Sequence, residues 1–128
     1  MVKISFSSVD SKYWKESPET FDVIASNDCS TWDTLLSVDH SGFTGQNQEK
    51  SWQIPRGVQQ KSYRCYGIEG TKNLGYGSDY ISLKKLKMFQ HGPGILYSNS
   101  RKSITWSAVP YPPHNGGEKK AHKMFVCT

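Results

Sequence analysis

The 128-residue chain has no apolar run approaching the roughly 18 residues that a membrane-crossing helix needs. Its opening, MVKISFSS, lacks the apolar stretch of a secretory leader, so the chain is expected either to be cytosolic or to be a segment of a longer exported one. Helical periodicity never lasts beyond a few residues. Metal-ligand spacings such as His-x-x-x-His or Cys-x-x-Cys are absent, and His40, His91, His114 and His122 fall in loops or in the tail. No Gly-x-Ser-x-Gly occurs, and the Gly-x-Gly at Gly75–Gly77 stands in a β-loop rather than before a helix, which argues against phosphate cradling. Asp28 and Asp33 resemble paired carboxylates, but a hairpin turn accounts for Asp28 without chemistry. No catalytic constellation is left, and the expected class is a non-catalytic protein.

Acidic residues are scarce in the last third. Residues 1–83 carry eight Lys and Arg against ten Asp and Glu, whereas residues 84–128 carry eight against Glu118 alone. The net charge of +5 therefore belongs to the C-terminal segment. A basic tail attracts anionic lipid or nucleic acid, or simply keeps the chain solvated. Nucleic acid is the weakest of these partners, because Trp106 and Tyr111 are not interleaved with the charges as stacking platforms are. Three cysteines, Cys29, Cys65 and Cys127, leave at least one unpaired. Cys65 inside a strand reads as a buried free thiol and Cys29 in a tight turn as exposed. A Cys29–Cys127 pairing is open but unsupported.

What is present is β-alternation punctuated by turn formers. Val2, Ile4 and Phe6 alternate with Lys3, Ser5 and Ser7. Phe21–Ser26 and Thr31–Val38 form a hairpin across Asn27–Ser30, and Trp32 reads as a core anchor. Ser51–Ile54 is a short strand stopped by Pro55, and Tyr63–Glu69 is a further strand, with Trp52 and Tyr63 also read as core. Tyr80–Phe89 closes the set, with a register slip around Leu83–Leu86 that predicts a bulge. Three longer loops intervene: Ser8–Glu19, Asp39–Lys50 and Gly70–Asp79. Beyond His91-Gly-Pro-Gly the character changes, with short strands predicted at Ile95–Tyr97 and Ser103–Trp106. One domain over 1–90 follows, with 91–128 as a basic appended segment that adds strands to it or reaches a neighbouring subunit. The predicted fold is an all-β antiparallel sandwich.

FDVIASNDCSTWDTLL, YRCYGI and ISLKKLKMF resemble, in order and spacing, the central hairpin, the Tyr-Arg strand and the final strand of discoidin domains, also called coagulation factor 5/8 type C domains. The resemblance covers about residues 2–89 and departs where Cys29 stands in place of a turn glycine. It also starts late: family members carry a further stretch before this point. Ile104–Phe125 weakly resembles the opening of such a domain, so the chain reads as a partial, permuted or divergent short form. The resemblance implies a jelly-roll-like sandwich of the galactose-binding superfamily, extracellular or surface-associated, that binds glycans, phospholipids or proteins. It implies calcium in some members, but no loop matching theirs is seen here, and no cofactor is expected.

A sugar site needs an aromatic face for the apolar side of the ring and planar polar side chains that read hydroxyl orientation. The three loops offer Lys12 and Trp14, then His40 and Phe43, then Asn73 and Tyr76. By analogy with glycan-binding relatives, Trp14 and Tyr76 are the expected stacking residues. The leading expectation is a carbohydrate-binding module; the alternative is an adhesion or structural protein that binds a protein partner or an anionic membrane surface through its basic C-terminal segment.

Overall fold

Strand alternation in this chain sets two sheets face to face, with apolar rows of the central strands turned inward. The computed structural model describes residues 1–59, 61–75, 80–91, 95–99, 104–107 and 122–127. Among them the strands are β1 (Lys3–Ser7), β2 (Pro18–Ser26), β3 (Asp33–Val38), β4 (Glu49–Gln53), β5 (Cys65–Asn73), β6 (Tyr80–Phe89), β7 (Ile95–Asn99), β8 (Ile104–Ser107) and β9 (His122–Cys127). A 3₁₀ turn (Lys12–Glu16) and a single helical turn, α1 (Arg56–Gln59), complete the described elements. One sheet has the order β4-β1-β6-β7, with β8 also paired to β6; the other has the order β3-β2-β5-β9. Every pairing is antiparallel. The fold is the all-β sandwich that the alternation predicts.

The core is filled from both sheets. Ile4 and Phe6 of β1, Phe21, Val23 and Ala25 of β2, Ile68 of β5, and Leu83, Leu86 and Met88 of β6 form one cluster. Aromatic rings hold its centre: the Phe6 centroid lies 4.8 Å from Trp52, 5.4 Å from Phe21 and 5.7 Å from Phe43. These separations are those of favourable tilted and edge-on ring pairs.

The slip foreseen in β6 is a bulge at Lys85. Ser5 pairs with Lys87 but Ser7 with Lys84, so three residues of β6 answer two of β1. Lys85 sits at φ 53°, in the left-handed region, and is exposed. One extra residue shifts the phase of the strand. Ile81 and Leu83 before it and Leu86 and Met88 after it are all buried as a result.

Residues beyond 91 supply paired strands. β7 pairs with the end of β6, β8 with its start, and β9 with β5 in the register Cys65↔Cys127 to Gly70↔His122. The β9 strand was not legible in KAHKMFVCT, because a single alternation of Met124 and Val126 against Phe125 and Cys127 follows a run of lysines. Its partner strand makes room for it at Gly67: a Cβ there would lie 2.4 Å from the Met124 carbonyl oxygen.

Two expectations need correction here. Cys65 is not a free thiol: it forms a disulfide with Cys127, and the free cysteine is the exposed Cys29. Trp32 is not in the core. β3 begins only at Asp33, so Trp32 belongs to the preceding turn, half-buried, with its ring 5.1 Å from Phe125 of β9.

Candidate functional site

Antiparallel topology decides which loops meet. β1 and β5 end, and β2 and β6 begin, at the same end of the sandwich, as do the end of β3 and the start of β4. The connections 8–17, 39–48 and 74–79 therefore share that end, although 76–79 lie outside the described residues.

Hydrogen bonds stitch the three together. The Leu74 amide donates to the Lys15 carbonyl at 2.9 Å, joining the third loop to the first. The Ser8 amide donates to the Gln48 carbonyl, and the Ser8 hydroxyl donates to the Gly45 carbonyl at 2.7 Å, joining the first to the second. The Ser41 amide donates to the Glu19 carbonyl at 3.0 Å. Ser11 caps the 3₁₀ turn by accepting from the Tyr13 amide, and Ser17 closes it by donating its hydroxyl to the Trp14 carbonyl at 2.6 Å. The buried Glu16 carboxylate then accepts from the Ser82 hydroxyl at 3.1 Å and fastens the turn to β6. Buried polar groups satisfied in this way fix a loop far better than surface pairs do.

The sequence-predicted site residues divide. Lys12 is exposed, with its Nζ 5.3 Å from the Tyr13 ring centroid. Trp14 is half-buried, with Lys15 Nζ 5.7 Å from its ring. The His40 side chain is exposed, and its Nδ1 lies 3.4 Å from a Glu19 carboxylate that also has Lys72 Nζ at 3.8 Å. Phe43 is a correction: its ring is buried in the core against Phe6 and Trp52 and offers no face to a ligand. Asn73 is another. Its Nδ2 donates to the Tyr80 carbonyl and its Oδ1 accepts from the Gly75 amide, so the side chain closes the third loop. Tyr76 lies outside the described residues. Sequence reasoning passed over two aromatics that the structure leaves exposed at this end, Tyr13 and Tyr80. Tyr80 was within reach of the alternation, since it stands opposite in phase to the buried Ile81.

The far end of the sandwich carries a different set of groups. The Tyr63 hydroxyl donates to Asp33 Oδ2 at 2.7 Å, and this bond, with some desolvation and the carboxylate charge, pushes the phenol up to about 12. Stability drawn from this bond is complete below the ordinary tyrosine value of 10.0 and is lost as pH rises through about 12. In a spectrophotometric titration one tyrosine should ionise late, and Asp33→Asn should return it toward the others. The Asp28 carboxylate accepts from the Thr31 amide at 2.8 Å and the Ser30 amide at 2.9 Å, which holds it below the usual carboxylate range. That contribution is present above the ordinary value and disappears as pH falls through the lowered one.

The geometry defines a class: an antiparallel β-sandwich whose first loop is hydrogen-bonded to the two others at one end. No protein-family model, curated protein or solved structure matches the chain.

Proposed function

We propose that the protein is a non-catalytic recognition module that binds a glycan at the three-loop end of its sandwich. The observation that carries this reading is the hydrogen bonding of the first loop to the two others at one end, with solvent-reaching aromatics, Tyr13 and Trp14, on the first loop, the cations Lys12 and Lys15 beside them, and His40 on the second loop. Aromatic faces take the apolar side of a sugar ring, and lysine and histidine donate to its hydroxyls. The resemblance of FDVIASNDCSTW, YRCYGI and ISLKKLKMF to discoidin domains points the same way, since glycan-binding members use loops at one end of the sandwich. With Phe43 and Asn73 committed to structure, Tyr13 joins Trp14 as the preferred stacking residue.

A glycan array followed by titration of the hits, with tryptophan fluorescence as readout, tests the proposal. Trp14→Ala and Tyr13→Ala should each weaken binding by roughly tenfold, about the worth of one ring contact. No response to any sugar at millimolar concentration, with the circular dichroism of the fold intact, overturns it. A second reading rests on Lys12 and Lys15 flanking Trp14, which suits an anionic membrane surface. Sedimentation with phosphatidylserine vesicles but not with phosphatidylcholine vesicles, together with silence on the array, would favour that reading.

A further inference from the structure

At the opposite end, three cysteines remote in sequence converge. Cys29 Sγ lies 3.1 Å from Cys65 Sγ and 3.6 Å from Cys127 Sγ, and all three sulfurs lie within 4.8 Å of one another. They come from three segments: the β2–β3 turn, the start of β5 and the end of β9. The turn is built to hold its thiol there. The Ser26 hydroxyl oxygen accepts from the Cys29 amide at 2.9 Å and the Asp28 amide at 3.2 Å, while Asn27 Oδ1 accepts from the Arg64 amide at 3.0 Å, next to Cys65. Cys29 itself sits at φ 60°. A side chain there costs about 1–2 kcal/mol that glycine would avoid. A strained position that carries a thiol and aims it at two others suggests a use for that thiol.

Two uses are conceivable, and the distances separate them. Thiol–disulfide exchange needs the attacking sulfur in line with the bond that breaks. The far sulfur would then lie about 2 Å beyond the near one, a full S–S bond. Here the two distances, 3.1 and 3.6 Å, differ by 0.5 Å, so Cys29 stands beside the disulfide rather than behind it. The sulfurs form a compact triangle. With metal–sulfur bonds of about 2.3 Å, thiolates on a tetrahedral ion stand roughly 3.8 Å apart. Of the three separations the 3.6 Å one is already close to that, and the 3.1 Å one and the bonded pair open toward it once the disulfide is reduced.

We propose that the reduced protein binds one thiophilic d¹⁰ cation of the zinc class through the thiolates of Cys29, Cys65 and Cys127. The fourth position faces solvent, on the side where Cys29 and Cys127 are exposed. The disulfide is the closed state of this site. A cellular dithiol opens it: the Cys65–Cys127 bond breaks, the dithiol gives two electrons and two protons and becomes a disulfide, and the cation then displaces the thiol protons as it binds. Sulfur is the donor such ions prefer, and binding would keep β9 clamped to β5 without the covalent bond.

The test uses the full chain reduced anaerobically with a phosphine, which supplies no competing thiol, and titrated with cadmium. The expected result is one equivalent bound, read as the ultraviolet thiolate-to-cadmium band at the intensity of three thiolates. The unreduced protein should show no such band. Zinc should displace the cadmium, and cadmium should raise the melting temperature of the reduced protein. Cys29→Ser, at an exposed position, keeps the oxidised fold and in the reduced state should weaken cadmium binding by roughly tenfold or more. Absence of a 1:1 band in the reduced wild type, including through release of β9, overturns the proposal. So does equal affinity in Cys29→Ser.

Discussion

In a Cys29→Ser background, replacing Cys127 by serine should lower the free energy of unfolding by about 4 kcal/mol and the melting temperature by roughly 15 °C. The disulfide closes a loop between residues 62 apart, and a loop of that length gives this figure through the entropy it removes from the unfolded chain. The background matters. With Cys127 alone removed, Cys29 lies 3.1 Å from Cys65 and is 36 residues from it, so a substitute bond would mask most of the loss. Guanidinium unfolding of the two proteins, each with and without reductant, checks the number. Reductant should bring the Cys29→Ser protein down to the level of the double variant and leave the double variant unchanged. A difference below about 1 kcal/mol would mean that β9 is not tied to β5 in solution.

The frame of the sandwich was legible because local sequence settles it. The rows Val2-Ile4-Phe6 and Phe21-Val23-Ala25 can bury an apolar face in only one way, and the phase slip in ISLKKLKMF exposes its own bulge. What stayed hidden was long-range. Phe43 stands in a polar loop between His40 and Asn47, and no local signal says that the loop folds back to set its ring against Phe6 and Trp52. Asn73 looks like a ligand group until the strand that follows it, and the Tyr80 carbonyl it caps, are in place. The cysteine cluster needs three distant segments at once, and its key strand, β9, shows only one apolar alternation after a run of lysines. That three loops share one end follows from strand order alone. The choice of Tyr13 beside Trp14 follows only from the 3₁₀ turn that carries both.

The second large effect lies at the centre of the core, where Phe6→Ala should cost about 3–5 kcal/mol. Phe6 is fully buried on β1, the strand held between β4 and β6, and its ring meets Phe21 from the opposite sheet and both Phe43 and Trp52. Truncation removes the transfer energy of the ring and leaves a cavity that these neighbours cannot close, because Phe21 and Trp52 are themselves packed edge-on at 5.1 Å. Phe6→Leu keeps most of the volume and should cost about 1.5 kcal/mol or less, so the pair separates cavity formation from any effect on β1 pairing. Phe43→Ala should also destabilise the fold, and the double variant with Phe6→Ala should lose less than the sum of the two. A coupling of about 0.5–1.5 kcal/mol is expected for rings in contact. Chemical denaturation of the four proteins measures that cycle. Exact additivity would place Phe43 outside the core and return it to the loop surface as a candidate ligand contact.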